Sequence, residues 1–265
     1  MKDRFNRRIH YLRLSVTDLC NLRCTYCMPA EGVPLVPHEQ VLSFEEITEL
    51  ARTAVELGVD KVRLTGGEPL VRRDIMVLVR MLSAIPGIVD FAMTTNGVLL
   101  PRYAAALREA GLHRVNISLD TVDPVRFHAV TRCGRLEDTL AGIEAALAAG
   151  FRTVKINCVI TSSPNEPDAR LVADYARKKG LEVRYIRKMD TAKGEFWQVI
   201  GGTGGHCETC SRLRVSSQGR IYPCLFSNEC YDIRELGPRA AILAAVAGKP
   251  EAGSHSNNHF HHLGG

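Results

Sequence analysis

Three cysteines fall within the polar stretch CNLRCTYC, at Cys20, Cys24 and Cys27. A structural zinc site takes four ligands, commonly supplied as C-x2-C pairs. Three thiolates on one loop, spaced C-x3-C-x2-C with no fourth nearby, suit an iron–sulfur cluster that keeps one iron open. An open iron binds a small molecule, so this loop reads as a reaction centre. A second set, Cys207, Cys210 and Cys224, has C-x2-C-x13-C spacing. On its own it is compatible with a zinc ribbon, with Cys230 or His206 as fourth ligand, or with another cluster. Cys133 and Cys158 read as structural thiols.

Composition narrows the setting for this chemistry. The chain of 265 residues is long enough for one large domain, or one domain with a small appendage. No apolar run reaches the length of a membrane span. The opening MKDRFNRRIH lacks the apolar stretch of a signal peptide. The expected compartment is the cytoplasm, where thiols stay reduced, so nine cysteines serve metals or catalysis before disulfides. A net charge of +5 permits an anionic ligand. With no basic block or aromatic platform, neither nucleic acid nor a membrane is expected as a partner.

The elements that must position the cysteines follow a repeating pattern of short apolar strand, loop and amphipathic helix. Strands are expected at 9–17, 61–66, 90–95, 114–120, 153–161 and 181–189. Helical patterns lie between them, one opening at Ser43 with Glu46 in a capping-box position. Six βα units in series predict a parallel sheet with outer helices, curved into a full or partial barrel. Side chains alternate faces along a strand. Leu12 and Leu14 oppose Arg13 and Ser15, Val62 and Leu64 oppose Arg63 and Thr65, Val115 and Ile117 oppose Asn116 and Ser118, and Ile156 opposes Lys155 and Asn157. The apolar face must meet the helices, which leaves a polar, cationic interior suited to an anionic ligand. Beyond Met189, a Gly-rich stretch precedes a hairpin and a helix broken at Gly237-Pro238, so 190–265 reads as a small C-terminal unit.

C-x3-C-x2-C directly after the first strand of such a series, with Tyr26 just before the third cysteine, resembles the signature of the radical S-adenosylmethionine (SAM) superfamily. The resemblance implies an α/β fold, a partial (β/α)6 barrel over 1–189. It implies a [4Fe–4S] cluster on Cys20, Cys24 and Cys27 whose open iron chelates the amino and carboxylate groups of SAM. Electron transfer to SAM would then yield a 5′-deoxyadenosyl radical that abstracts a hydrogen atom from substrate. The turn TGGEPL, with Gly66, Gly67 and Glu68, would contact the methionine end of SAM. Ser118 would contact SAM, and Met189 would lie near its adenine.

Within the superfamily, the second cysteine set with SRLR after Cys210 and PCLF around Cys224 resembles the GTP 3′,8-cyclases. These catalyse the first step of molybdenum-cofactor biosynthesis, forming (8S)-3′,8-cyclo-7,8-dihydroguanosine 5′-triphosphate. That resemblance implies a second [4Fe–4S] cluster on Cys207, Cys210 and Cys224 in an auxiliary unit at 190–265, its open iron binding guanine. It implies GTP contacts from Arg13, Arg63, Thr94, Lys155, Arg212 and Arg214. The Gly264-Gly265 ending would insert into the active site and help place Arg13, the catalytic arginine. It also implies an electron donor such as flavodoxin or ferredoxin, and is compatible with a homodimer. Two departures leave a second reading open. Only residues 190–206 separate Met189 from Cys207, where the family carries several dozen more, and Ser211 replaces the usual Asn. A divergent paralogue acting on another nucleotide or a ribosomal peptide would fit those departures. Cys230, if it ligated the second cluster, would make that cluster an electron carrier. His255, His259, His261 and His262 read as a polar tail.

Overall fold

The computed structural model describes residues 1–264. Six parallel strands form in chain order: β1 (Tyr11–Ser15), β2 (Lys61–Thr65), β3 (Asp90–Thr95), β4 (Arg114–Ser118), β5 (Val154–Ile160) and β6 (Glu182–Arg187). Each pairs in parallel with the one before it. Right-handed crossovers that always step in the same direction put their helices on one face. This is the logic of a (β/α) barrel and not of a doubly wound sheet, where the order reverses midway.

The helices are α1 (Phe44–Glu56), α2 (Ile75–Ser83), α3 (Leu100–Glu109), α4 (Pro124–Thr131), α5 (Leu136–Ala148) and α6 (Pro167–Lys178). The capping box at α1 is present: Glu46 N–H donates to Ser43 Oγ at 3.1 Å, and Ser43 N–H to Glu46 Oε2 at 2.7 Å. The sequence pattern missed α4, although Asp123-Pro124 is an N-cap signal and Asp123 accepts from Arg126 N–H at 2.9 Å.

After Met189 the chain first covers the free edge of the sheet. Tyr185 and Ile200 exchange backbone hydrogen bonds of 3.0 and 3.1 Å, and Arg187 stacks on Trp197 at 3.8 Å. An exposed strand edge invites pairing with another chain, and this short segment occupies it. Then β7 (Arg212–Val215) pairs in parallel with β1, on the side away from β2. The antiparallel strands β8 (Arg220–Tyr222) and β9 (Tyr231–Asp232) follow. One sheet of order 6-5-4-3-2-1-7-8-9 results, so residues 190–264 continue the sheet and share its core through Leu213, Val215 and Ile221. The expected helix break is observed: α7 (Ile233–Leu236) ends at Gly237, φ +77°, and α8 (Pro238–Ala247) begins there. A last turn, α9 (Phe260–Leu263), lies near the chain end. Among the described residues, no helix is long and apolar enough to cross a membrane.

Candidate active site

The cysteine loop leaves the C-terminal end of β1, the end at which barrel chemistry is built. What holds it there is the turn after β2. Gly67 N–H donates to Thr17 O at 2.7 Å and Glu68 N–H to Leu19 O at 2.8 Å. A Cβ on Gly67 would stand 2.3 Å from Leu19 O, and one on Gly66 2.4 Å from Thr17 O. The glycines are therefore required by the backbone of the cysteine loop itself, a nearer neighbour than the ligand contact inferred from the sequence.

Glu68 is likewise turned inward. Its carboxylate accepts from Leu70 N–H (3.0 Å), Thr95 Oγ1 (2.8 Å) and Asn96 N–H (2.7 Å). Burial pushes it up to about 7 against those donors. It braces the turn to the end of β3, and Asn96 Nδ2 in turn donates to Asn21 Oδ1 at 2.7 Å.

Burial raises all three thiols of this loop, Cys20 to about 11 and Cys27 to about 12, and nearby negative charge adds to it: Glu68 at Cys20, Asp120 and the other two thiols at Cys24, and Cys20 at Cys27. Such thiols lose their protons readily only when a bound cation stabilises the thiolates. Leu22 N–H donates to Cys20 Sγ at 3.3 Å and Asn96 Nδ2 approaches it at 3.8 Å, as suits a cluster thiolate. Among the described residues no Cys, His, Asp or Glu set closes on a single ion. The chemistry of the donor set fits an iron–sulfur cluster.

Tyr26 Oη donates to Asp120 Oδ2 at 2.6 Å, and Asp120 Oδ1 accepts from Val159 N–H at 2.8 Å. Burial pushes Asp120 up to about 6. Ser118, Cys24, Tyr26 and Asp120 line a cavity of about 30 Å³. A larger one, about 220 Å³, opens between Cys27, Met189, His259 and Phe260. Ser118 at the end of β4 and Met189 just past β6 thus flank the cysteine loop.

The inward cations converge. Strand register aligns Arg63, Arg13 and Arg214 in one row across β2, β1 and β7. Burial lowers all three, and neighbouring guanidinium groups lower them further, Arg214 to about 10. Arg63 Nη1 donates to Thr94 Oγ1 at 3.3 Å. With its amide oxygen facing the cations, Asn116 accepts from Arg63 at 2.9 Å and Arg184 at 3.2 Å. Ser15 Oγ, Arg63 Nε, Thr65 Oγ1 and Arg184 Nε are buried with no hydrogen-bond partner among the described residues. Unsatisfied buried donors on a cationic face mark a ligand site.

Sequence reasoning missed Arg114 and Arg184. Both obey the alternation already in use, Arg114 preceding Asn116 and Ser118 by the strand period and Arg184 facing Asn157 in register. Arg114 is paired with Asp90 at 2.6 Å. Lys155 is engaged by Glu182 across the sheet. Arg212 donates to Thr203 O at 2.5 Å, pinning the short segment before Cys207.

The tail corrects the polar-tail expectation. Leu263 is fully buried with Tyr222, Leu225 and Phe226. His261 Nδ1 lies 3.0 Å from Cys27 O, and His262 Nδ1 lies 2.9 Å from Asp18 Oδ2, so these two histidines dock on the first cysteine loop, while His255 and His259 are exposed as expected. Arg214 donates to Leu263 O at 3.3 Å and to Gly264 O. Gly264, φ +67°, lies against Thr65, whose Oγ1 a Cβ would meet at 2.3 Å. The companion expectation for Gly265 lies outside the described residues.

In the second set, Cys207, Cys210 and Cys224 are half-buried, whereas Cys230 is exposed beside Tyr222. Burial raises Cys210, but Lys249 and Arg212 more than offset it and hold that thiol below the ordinary range. Cys224 is raised by burial, and Phe226 N–H donates to its Sγ at 3.4 Å.

A sequentially ordered parallel sheet with a three-thiol loop at the end of its first strand defines a radical SAM enzyme. The family model for the Radical SAM superfamily matches residues 14–187. The GTP 3′,8-cyclase of Alkaliphilus oremlandii is 40% identical, covering 95% of this chain and 93% of its own. That of Heliobacterium modesticaldum is 42% identical, covering 93% and 90%. The chain belongs to the GTP 3′,8-cyclase family of the radical SAM superfamily. Both alignments run over 299 positions, more than the 265 residues here, so those relatives carry residues inside the matched span that this chain lacks. Among solved structures, SAM-bound anSMEcpe superposes with a TM-score of 0.66 at 14% identity, covering 91% of this chain and 81% of its own. SAM-bound SuiB of Streptococcus suis gives 0.61 at 15%, covering 92% and 64%. Both likenesses establish the partial-barrel fold. Membership in the superfamily implies a [4Fe–4S] cluster and SAM as cofactors.

Proposed function

We propose that this chain converts GTP to 3′,8-cyclo-7,8-dihydroguanosine 5′-triphosphate. The observation that carries the reading is the row Arg63–Arg13–Arg214, one strand apart on the face beside the cysteine loop, with Arg63 and Arg13 buried and Arg214 half-buried. Arg63 Nε and Arg184 Nε, buried without a hydrogen-bond partner among the described residues, leave donors on this face for an anion. Guanidinium groups bind phosphate oxygens in pairs, so a triphosphate is the natural complement. Thr94, Asn116 and Arg184 hold the neighbouring positions.

In this reading Cys20, Cys24 and Cys27 hold the first cluster, and Cys207, Cys210 and Cys224 hold a second. When bound, the first cluster and SAM supply a carbon-centred radical for hydrogen abstraction. The chain's own work is placement. Gly66, Gly67 and Glu68 set the cysteine loop, with Ser118, Tyr26 and Met189 beside the SAM position. Arg13 faces the reacting nucleoside, and the tail closes over it from the Thr65 side. Lys155 binds phosphate only by leaving Glu182, which puts it at the edge of the site. Arg212 is divided between the ligand and Thr203.

The test is anaerobic reconstitution with iron and sulfide, followed by SAM, a strong reductant and GTP, with products identified by mass spectrometry. The cyclised triphosphate is expected with 5′-deoxyadenosine. SAM cleavage with unchanged GTP would reject GTP as substrate and favour another nucleotide or a peptide.

A further inference from the structure

The second cysteine set is braced by two buried cations. Lys249, just past the end of α8, is 2% exposed. Its Nζ donates to Arg212 O at 2.8 Å and to Pro223 O at 2.5 Å. Arg212 follows Cys210 by two residues and Pro223 immediately precedes Cys224, so a single ammonium joins the two segments that carry these cysteines. Arg7 serves the third segment. Its guanidinium, paired with Asp3 at 2.6 Å, donates to Cys207 O at 2.8 Å, to Glu251 O at 2.7 Å and to Pro250 O at 2.6 Å. Pro250 and Glu251 follow Lys249 directly, so the two cations form one brace between the N-terminus and the end of α8.

The two cations differ in what balances them. Arg7 has a carboxylate. Lys249 donates to two backbone carbonyls, which are neutral. A buried ammonium is costly unless opposite charge lies close. Three cysteine thiolates supply that charge once a cluster binds. A fixed positive charge beside a cluster favours the more negative, reduced form, and net charge and contacts to sulfur are what tune such potentials.

We infer that Lys249 is a positioning residue for the second cysteine site, fixing the spacing of the Cys210 and Cys224 segments and, by its charge, raising the reduction potential of the cluster held there. This rests on the two-cluster reading above, and the experiment separates the two. The full-length chain with Cys20, Cys24 and Cys27 replaced by Ala is reconstituted anaerobically, so that only the second site holds iron. Parent, Lys249→Gln and Lys249→Arg are compared. Gln retains a donor for the carbonyls without the charge, and Arg retains the charge. The parent should hold about four irons per chain. Lys249→Gln should show a more negative midpoint potential by EPR-monitored titration and faster iron loss to a chelator, and Lys249→Arg should restore the potential toward the parent. Thermal melting of the apo forms checks that each variant folds. If Lys249→Gln keeps both the parent potential and the parent chelator resistance, the role of Lys249 is overturned while the second cluster stands. A folded parent that holds zinc or no iron overturns the second cluster, and this inference with it.

Discussion

Arg214 on β7 donates to the carbonyl oxygens of Leu263 and Gly264, so an arginine in the cationic row is also the clamp of the chain's last turn. Tail and anion site are therefore coupled through one side chain. Gly264→Ala places a methyl 2.3 Å from Thr65 Oγ1, at a positive φ that Ala disfavours. A displacement of about 1 Å costs on the order of 100-fold in rate. GTP conversion should fall by that order, while iron content and reductive SAM cleavage stay near wild type. The ratio of cyclised product to 5′-deoxyadenosine measures it, and an unchanged ratio sinks the inserted-tail reading.

Replacing Cys20, Cys24 and Cys27 by Ala should abolish SAM cleavage. Replacing Cys207, Cys210 and Cys224 should leave uncoupled SAM cleavage but no GTP turnover. Iron per reconstituted chain should drop from about eight to about four in either triple variant. Zinc at the second set in the wild type would contradict this.

Gly67→Ala tests the claim that this glycine is demanded by the cysteine loop. Its methyl would stand 2.3 Å from Leu19 O and 2.6 Å from Asp18 O, both backbone. Overpacking of this kind costs about 1–3 kcal/mol. The apo protein should lose that much stability in urea, and the first site should load less iron while the second loads normally.

Glu68 carries a pH dependence with a definite sign. Burial lifts its carboxyl to about 7 in the fold, above its ordinary 4.5. The folded state thus holds the proton more tightly than the unfolded one. Its contribution is complete below about pH 4.5 and is lost as pH rises through 7, amounting to about 3 kcal/mol at most. Glu68→Gln turns an amide donor toward a backbone donor, costing about 1–3 kcal/mol at low pH. It should also flatten the decline in stability between pH 5 and 8. Asp120, lifted to about 6 by burial, acts in the same direction, so part of the decline persists. Urea midpoints across that range decide it, and a slope identical to wild type would exclude Glu68 as the source.

Local period and spacing along the chain account for part of this architecture. The cysteine loop after strand one, the Ser43–Glu46 capping box, the Gly237-Pro238 break and the inward set Arg13, Arg63 and Lys155 all follow from rules spanning a few residues. The same alternation contained Arg114 and Arg184, which went unread because they stand at or near strand starts. Tertiary structure alone decided which residues from distant segments meet. That β7 lies against β1, bringing Arg214 level with Arg13, depends on strand register across some 200 residues, and no local pattern encodes it. Glu68 turned out to serve the backbone of its own turn, and His261 and His262 reached the first cysteine loop, because burial leaves each polar group to seek the nearest partner in space. Lys249 stands in a polar stretch of sequence with no local mark of a role. Only packing, which buried it between Arg212 and Pro223, made its charge matter.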